Sequence, residues 1–186
     1  MVLEGYQVKL VTIDASDLDM LRLWRNDPKI SQHMLSQDII SKEQQERWFE
    51  KVSQDSSQRH FIIWYKDKPI GAANLKALDG KSLESTSAIE PGLYIYEDKY
   101  RANLLAFAPT LLLNDFSFYD IGVEKLKAVV LAENQAALNY NQKLGYKIVN
   151  EGPLIEVELE KLSYEIASKP LKGLLSRVSG GRKSGV

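Results

Sequence analysis

Cysteine is absent from this chain, which excludes disulfides, thiolate metal sites and a cysteine nucleophile. Histidine is scarce: His33 and His60 are the only two, too few and too separated to expect a metal site. A dominant charge is missing as well. With 24 Lys and Arg against 25 Asp and Glu the formal net charge is -1, so nothing draws the whole molecule to nucleic acid or to an anionic membrane, and partners must be met at local sites. No run approaches the ~18 to 20 apolar residues that span a bilayer. The opening "MVLEGYQVKLVTI" lacks a basic region followed by an apolar stretch and a small-residue cleavage site, so no export signal is expected. These absences point to a cytoplasmic protein.

What is present fits one folded unit. At 186 residues and 44% hydrophobic content the chain can bury about 70% of the surface its unfolded form exposes. Residues 1–168 read as a single domain. Residues 169–186 change character, with Lys169, Lys172, Arg177, Arg182 and Lys183, no acid, and many Ser and Gly, and read as a basic tail.

Along the domain, residues 6–13 alternate as a strand, and "SDLDMLRLWRN" sets Leu18, Leu21 and Trp24 on one helical face before the turn Asn26-Asp27-Pro28. A capping box, Ser-Lys-Glu-Gln from Ser41, opens a second helix. "HFIIWYKDKPIGAANLKAL" and "STSAIEPGLYIY" supply three strands, "LLAFAPTLLLNDFSFYDI" a helix with Pro109 in or near its first turns, and "EKLKAVVL" a strand. Asn134 caps the helix "NQAALNYNQKL", Gly145 ends it, and "YKIVN" with "LIEVELEKLSYEIAS" gives the closing strands. The order is that of a mixed α/β fold with about seven strands and about four helices. The β-α-β unit from Gly92 to Leu131 should pair its strands in parallel, with ligands gathering where the strands end and the helix begins.

That position is occupied by "DKYRANLLAFAP", residues 98–109, which has no glycine. A helix N-terminus holds a phosphate through its free N–H groups and dipole, without any particular side chain. Leu104 is bulky where an amide would face the anion, and on local evidence a phosphate site and a plain helix entry stand level.

The combination of "GLYIYEDKYRANLLA" with "KLKAVVLAENQAALNYNQKLGY" resembles the GNAT N-acetyltransferases. Asn134, Ala137, Tyr140, Lys143, Leu144, Gly145 and Tyr146 stand at that family's spacing; Arg101 and Ala106 agree, whereas Ala102 and Leu104 replace its usual glycines. The resemblance spans residues 5 to about 167 and implies the α/β GNAT fold and acetyl-CoA as co-substrate, with no metal. Within the superfamily, "LRLWRNDPKISQHM", "QDSSQRHFIIWYKDKPIGAANL" and "EPGLY" are similar to the pseudaminic acid pathway enzymes that acetylate the 4-amino group of a UDP-linked sugar. "WRN" followed by Pro, Ile and Met is shared with ribosomal-protein N-terminal acetyltransferases.

The roles implied by the resemblance follow residue by residue. The backbone of Leu93, Tyr94 and Ile95 pairs with pantetheine. The stretch Arg101, Ala102, Asn103, Leu104, Leu105 and Ala106 holds the pyrophosphate through its amides and Arg101. Asn134 and Lys143 touch the cofactor, and Tyr140 lies near the sulfur and protonates the departing thiolate. Glu90 is the expected base, with Glu97 and Asp98 as fallbacks, and Pro91 beside it marks a bulge or an edge. For the acceptor, Arg25 holds a nucleotide phosphate, Asn26, His33 and Met34 line the pocket, Trp24 or Trp48 stacks on uracil, and His60 is structural. Three readings stay open: a nucleotide-amino-sugar N-acetyltransferase, a ribosomal-type protein N-terminal acetyltransferase, and a non-catalytic relative that binds an acyl-CoA or a partner. A homodimer is compatible with all three.

Overall fold

The structure, a computed structural model, describes residues 1–177. Its first element departs from the expected single strand. Residues 2–12 form a hairpin, β1 (Val2–Gly5) and β2 (Val8–Thr12), whose two-residue turn puts Tyr6 and Gln7 at φ 51° and 73°. Such turns favour Asn-Gly, so the sequence carries no turn signal here. Tertiary bonds hold the strained pair instead: Tyr6 Oη donates to Asp115, and Gln7 Nε2 donates to the Leu175 carbonyl at 3.0 Å.

The hairpin leads into β3 (Gln58–Tyr65), β4 (Lys68–Ala77), β5 (Ala88–Ile95), β6 (Lys125–Leu131), β7 (Lys147–Asn150) and β8 (Leu154–Glu160). They form one sheet in the order β1-β2-β3-β4-β5-β6-β8-β7, antiparallel except for the expected parallel pair β5–β6. There are thus eight strands among the described residues. The register fixes two faces. Leu10, Phe61, Ile63, Leu75, Ile89, Leu126 and Leu159 point to the main core, which is covered by α5 (Ala108–Asp115) and α7 (Lys161–Leu175). On the opposite face Ile62 and Ala72 meet Leu21 and Trp24 of α1 (Leu18–Asn26), with α3 (Lys42–Ser53) beside them. Trp24 is buried and stacks on Tyr96 at 5.2 Å, which removes it as a uracil platform.

Short pieces complete the chain. These are α2 (Pro28–Ser31), capped by Asp27, and α4 (Asp98–Arg101), which leads into a 3₁₀ turn (Leu104–Phe107). Pro109 sits in the first turn of α5. After β6, α6 (Gln135–Lys143) is capped by Asn134, whose Oδ1 accepts from Ala137 N at 3.1 Å. It ends at Gly145, where φ is 98° and a Cβ would come within 2.7 Å of the Ser163 carbonyl. Glycine is required there on both counts.

The second departure is α7. Residues 161–168 are helical and not a strand, and the helix runs through the expected tail boundary at 168/169 and past Pro170. Tyr164, Ser168 and Leu175 are buried, and their packing outweighs the donor that proline removes. Lys169, Lys172 and Arg177 therefore belong to the folded part or its end, whereas Arg182 and Lys183 lie outside the described residues. Asp115 anchors the helix: its carboxylate accepts from Tyr164 Oη at 2.7 Å, Lys172 Nζ at 2.6 Å and Tyr6 Oη. Asp115→Ala leaves these donors without their acceptor and should cost about 2–3 kcal/mol. A fall in Tm of roughly 4–12 °C is expected in calorimetry.

Candidate active site

β5 and β6 touch only at their starts, Ala88 opposite Lys125 and Ile89 opposite Leu126. Beyond Ile89 they part around a cavity of about 460 Å³ lined by Pro91–Ile95, by Ala128–Leu131, and by Asn134, Ala137 and Tyr140 of the α6 region. Pro91 stands where β5 has become an edge. The β4–β5 register runs unbroken from Gly71/Ile95 to Ala77/Ile89, so of the two expected alternatives the strand has the edge and no bulge. An open strand edge offers a ladder of N–H and C=O groups to an extended amide-bearing ligand.

Of the glycine-free loop, Arg101 and Ala106 border this cavity, whereas residues 102–105 between them do not. Asn103 Oδ1 caps Leu105 N at 2.8 Å and Ala106 N bonds the Asn103 carbonyl at 3.1 Å, so those two donors are spent. The N–H groups of Ala102, Asn103 and Leu104 have no acceptor among the described residues. Leu104 is 37% exposed and does not line the cavity. Arg101 borders the cavity, but its guanidinium is fastened to its own loop, to the Ile95 carbonyl at 3.1 Å and to Asp98 at 2.8 Å. Lys29 reaches the same rim, with Nζ 3.7 Å from the Tyr96 ring centroid. Lys143 sits outside, 6.0 Å from the Phe107 ring centroid.

Tyr140 projects from α6 into the cavity. Its ring stacks on Phe107 at 4.6 Å, and its hydroxyl donates to the Ala106 carbonyl at 2.8 Å while sharing a short bond with Thr110. Enclosure of the hydroxyl pushes its pKa well above the ordinary phenol value, so it keeps its proton. Thr110 and Phe107 carry no sequence signal of a site: they sit in an apolar run that reads as plain core.

A second cleft, of about 690 Å³, opens on the α1/α3 face of the sheet and shares Met34, Gly92, Leu93 and Tyr94 with the first. The two spaces thus meet across β5. Arg25 borders the second cleft; its Nη2 donates to the Ser36 carbonyl at 2.9 Å, and its Nη1 is buried without a partner. Trp48, His60, Asn74 and Gln45 line it too. His33 lies in the first cavity and Met34 in both. Asn26 is in neither. Its amide bonds both Ile40 N and Ile40 O at 2.8 Å, strapping down the 32–40 loop. Glu90 also borders neither: it faces a groove of about 100 Å³ with Lys127 and Glu158. Glu97 pairs with Lys68 at 3.0 Å, and Asp98 with Arg101. Within the described residues no group of three or more His, Cys, Asp or Glu could hold a metal ion, and no helix is long and apolar enough to cross a membrane.

Comparison with known proteins agrees with this architecture. Residues 7–147 match the Acetyltransferase (GNAT) domain family. The acetyltransferase PseH of Campylobacter jejuni is 28% identical over 142 residues, 75% of this chain and 82% of the relative. The crystal structure of C. jejuni PseH in complex with acetyl coenzyme A superposes with a TM-score of 0.62 at 22% identity, over 83% of this chain and 99% of that one. Spermidine N-acetyltransferase from Vibrio cholerae, in complex with CoA and spermine, gives 0.72 at 18% identity, over 87% and 99%.

The second cleft also generates a pH dependence. Burial lowers the His60 pKa from 6.5 to about 4, with Asp55 pulling it partly back. The unfolded chain therefore takes up a proton first as pH falls, and the stability associated with neutral His60 is complete above 6.5 and lost on the way to 4. Between pH 7.5 and 5 urea unfolding should show wild type losing about 2 kcal/mol more than His60→Gln. Parallel losses in the two proteins would contradict this.

Proposed function

From the premise that the chain belongs to the GNAT acetyltransferases, we propose that it moves an acetyl group from acetyl-CoA to the primary amine of a nucleotide-linked amino sugar. Acetyl transfer from acetyl-CoA to an amine is the family's chemistry. The acceptor class is carried by one observation: Arg25 is the one Lys or Arg that borders the second cleft among the described residues. A guanidinium at the border of a cleft suits the phosphate of a nucleotide. Trp48 offers an aromatic surface in the same cleft for the base. Asp38 is the one acid bordering it among the described residues, which makes a polycationic acceptor a poor fit.

The cofactor lies in the first cavity in this reading. Pantetheine pairs with the free edge of β5 at Leu93–Ile95, and the pyrophosphate meets the amides of Ala102, Asn103 and Leu104. Asn134 borders the chain near the sulfur. Arg101 braces the loop against the end of β5, and its contribution to the anion is its field. The thioester then stands beside Gly92–Tyr94, where the two clefts join. The amine nitrogen attacks the carbonyl carbon, the C–N bond forms, nitrogen gives up a proton, and the C–S electrons leave on sulfur. Tyr140 donates its hydrogen to that sulfur and is reprotonated from solvent, which balances the proton that nitrogen gives up. To do so it must release the Ala106 carbonyl, while Thr110 and the Phe107 stack keep the phenol in place.

Thiol release from acetyl-CoA is the test, with a UDP-linked 4-amino-deoxy sugar, spermidine and a ribosomal-protein N-terminal peptide as competing acceptors. Release with the UDP-sugar, weakened at least tenfold in KM by Arg25→Gln (about 1.5–3 kcal/mol), is expected. A preference for the peptide or for spermidine would replace the acceptor class. Tyr140→Phe should lower kcat by about 10²-fold with acetyl-CoA affinity unchanged, and full activity in that variant removes Tyr140 from the reaction.

A further inference from the structure

Residues opposite one another in the sheet place His60 of β3, Asn74 of β4 and Gly92 of β5 in one row, all on the face that floors the acceptor cleft. Glycine at the end of the row lets the row close up: a Cβ on Gly92 would come within 2.6 Å of Asn74 Oδ1, so the Asn74 amide leans over β5 beside the junction of the two clefts. The Asn74 amide makes no side-chain hydrogen bond within the described residues, and its atoms are not sealed from the cleft.

The hydrogen-bond chain behind His60 fixes its tautomer. Asp55 is held ionised at about 2 by donors from Ser57 and then Gln58. Gln58 Nε2 donates to Asp55 Oδ2 at 2.6 Å, and a carboxylate can only accept, so the Gln58 carbonyl oxygen must be the end that faces His60, 2.9 Å from Nε2. The ring hydrogen therefore sits on Nε2. Nδ1 keeps its lone pair, has no partner among the described residues, and is not among the atoms sealed from solvent. Trp48, edge-on at 4.8 Å, fixes the plane of the ring. The charged and titratable groups around this ring are Asp55 behind it, Arg25 and Asp38 across the cleft, and Tyr94 on β5. Of these, Asp55 is the one that acts on its titration.

We propose that His60 Nδ1 receives the proton that the acceptor amine sheds as the C–N bond forms, passed by one water seated against Asn74. Two strand spacings, about 10 Å, separate His60 from Gly92, a span that the amine nitrogen and one water fill. The step balances: the new C–N bond uses the nitrogen lone pair, the N–H proton moves through water to Nδ1, the C–S pair leaves as thiolate, and imidazolium returns its proton to solvent. A weak base suffices because nitrogen becomes cationic on attack and its proton is acidic, and the depressed basicity keeps the ring unprotonated at neutral pH. Glu90, the base expected from the family resemblance, shares this sheet face one row away, opposite Lys76, and borders neither cleft.

This inference rests on the acetyltransferase reading and on the UDP-amino sugar as acceptor, and two measurements keep them apart. In ¹⁵N NMR of the resting enzyme, with His33→Gln to assign the two histidines, His60 should show hydrogen on Nε2 and a bare Nδ1 from pH 8 to 6. Hydrogen on Nδ1 overturns the proposal whatever the acceptor. In thiol-release assays with acetyl-CoA and the UDP-4-amino sugar, His60→Ala should lose about 10²–10³-fold in kcat with acetyl-CoA affinity within about twofold, and added imidazole should restore it about tenfold, the rescue following its free-base fraction. Full activity in His60→Ala, a loss without imidazole rescue, or a comparable loss confined to Glu90→Gln overturns it. If wild type ignores the sugar, the acceptor assignment falls, and the tautomer alone decides for or against His60.

Discussion

Ile89 and Leu126, both fully buried, are the last residues at which β5 and β6 pair before the strands diverge. Every feature of the site depends on that parting. On the far side β6 is held along its whole length by β8, from Lys125/Glu160 to Leu131/Leu154, and β5 is held equally by β4, from Ala77/Ile89 to Gly71/Ile95. Neither strand can swing across to close the gap without giving up an established ladder. Pro91, just past the clamp, has no N–H with which to extend the β5–β6 pairing. The wedge is filled from the core side by α5 and from the open end by α6, which brings Tyr140 against Thr110 and Phe107. A cleft is thus built from a sheet whose other strands are conventionally paired.

The same divergence makes β5 a wall shared by two spaces. Gly92, Leu93 and Tyr94 border both clefts, so the two spaces are separated by little more than a backbone. The two sides differ in how they are held. Beside the first cavity the loop between α4 and α5 is tied by its own side chains, with Asn103 as cap and Arg101 latched to the Ile95 carbonyl. Beside the second cleft the 32–40 segment depends on Asn26, which bonds both the N–H and the C=O of Ile40, and on Arg25, which holds the Ser36 carbonyl. Residues that looked like ligand contacts are in part fasteners.

What could be read from the sequence follows from how local each signal is. Asn134 as a cap, the Ser41 capping box and the left-handed Gly145 are fixed by residues within a few positions of each other, and all three stand in the structure. The β1–β2 turn could not be read, because Tyr6 and Gln7 adopt positive φ on the strength of bonds to Asp115 and Leu175, more than 100 residues away. α7 was hidden by Pro170 and by an alternating stretch at its start, and it exists through Tyr164, Ser168 and Leu175 packing on the core. Leu93 to Ile95 lie at the open edge and Ala102 to Leu104 keep free amides, but Arg101 is spent on its own loop and Glu90 faces another groove. The hydrogen bonds that fix the His60 tautomer come from Gln58 and Asp55, and their orientation appears only once β3 is folded.

The central claim is that a diphosphate can be gripped by peptide N–H groups at a helix mouth from which glycine is missing. The most direct measurement is a ¹H–¹⁵N NMR titration of the protein with acetyl-CoA, following the amides of Ala102, Asn103 and Leu104. Saturable binding that moves all three resonances, absent with an acetyl thioester that lacks the diphosphate, is the result this account requires. Binding that leaves those amides unmoved, or no binding at about 1 mM acetyl-CoA, where even a weak site of −4 kcal/mol would fill by half, would contradict it.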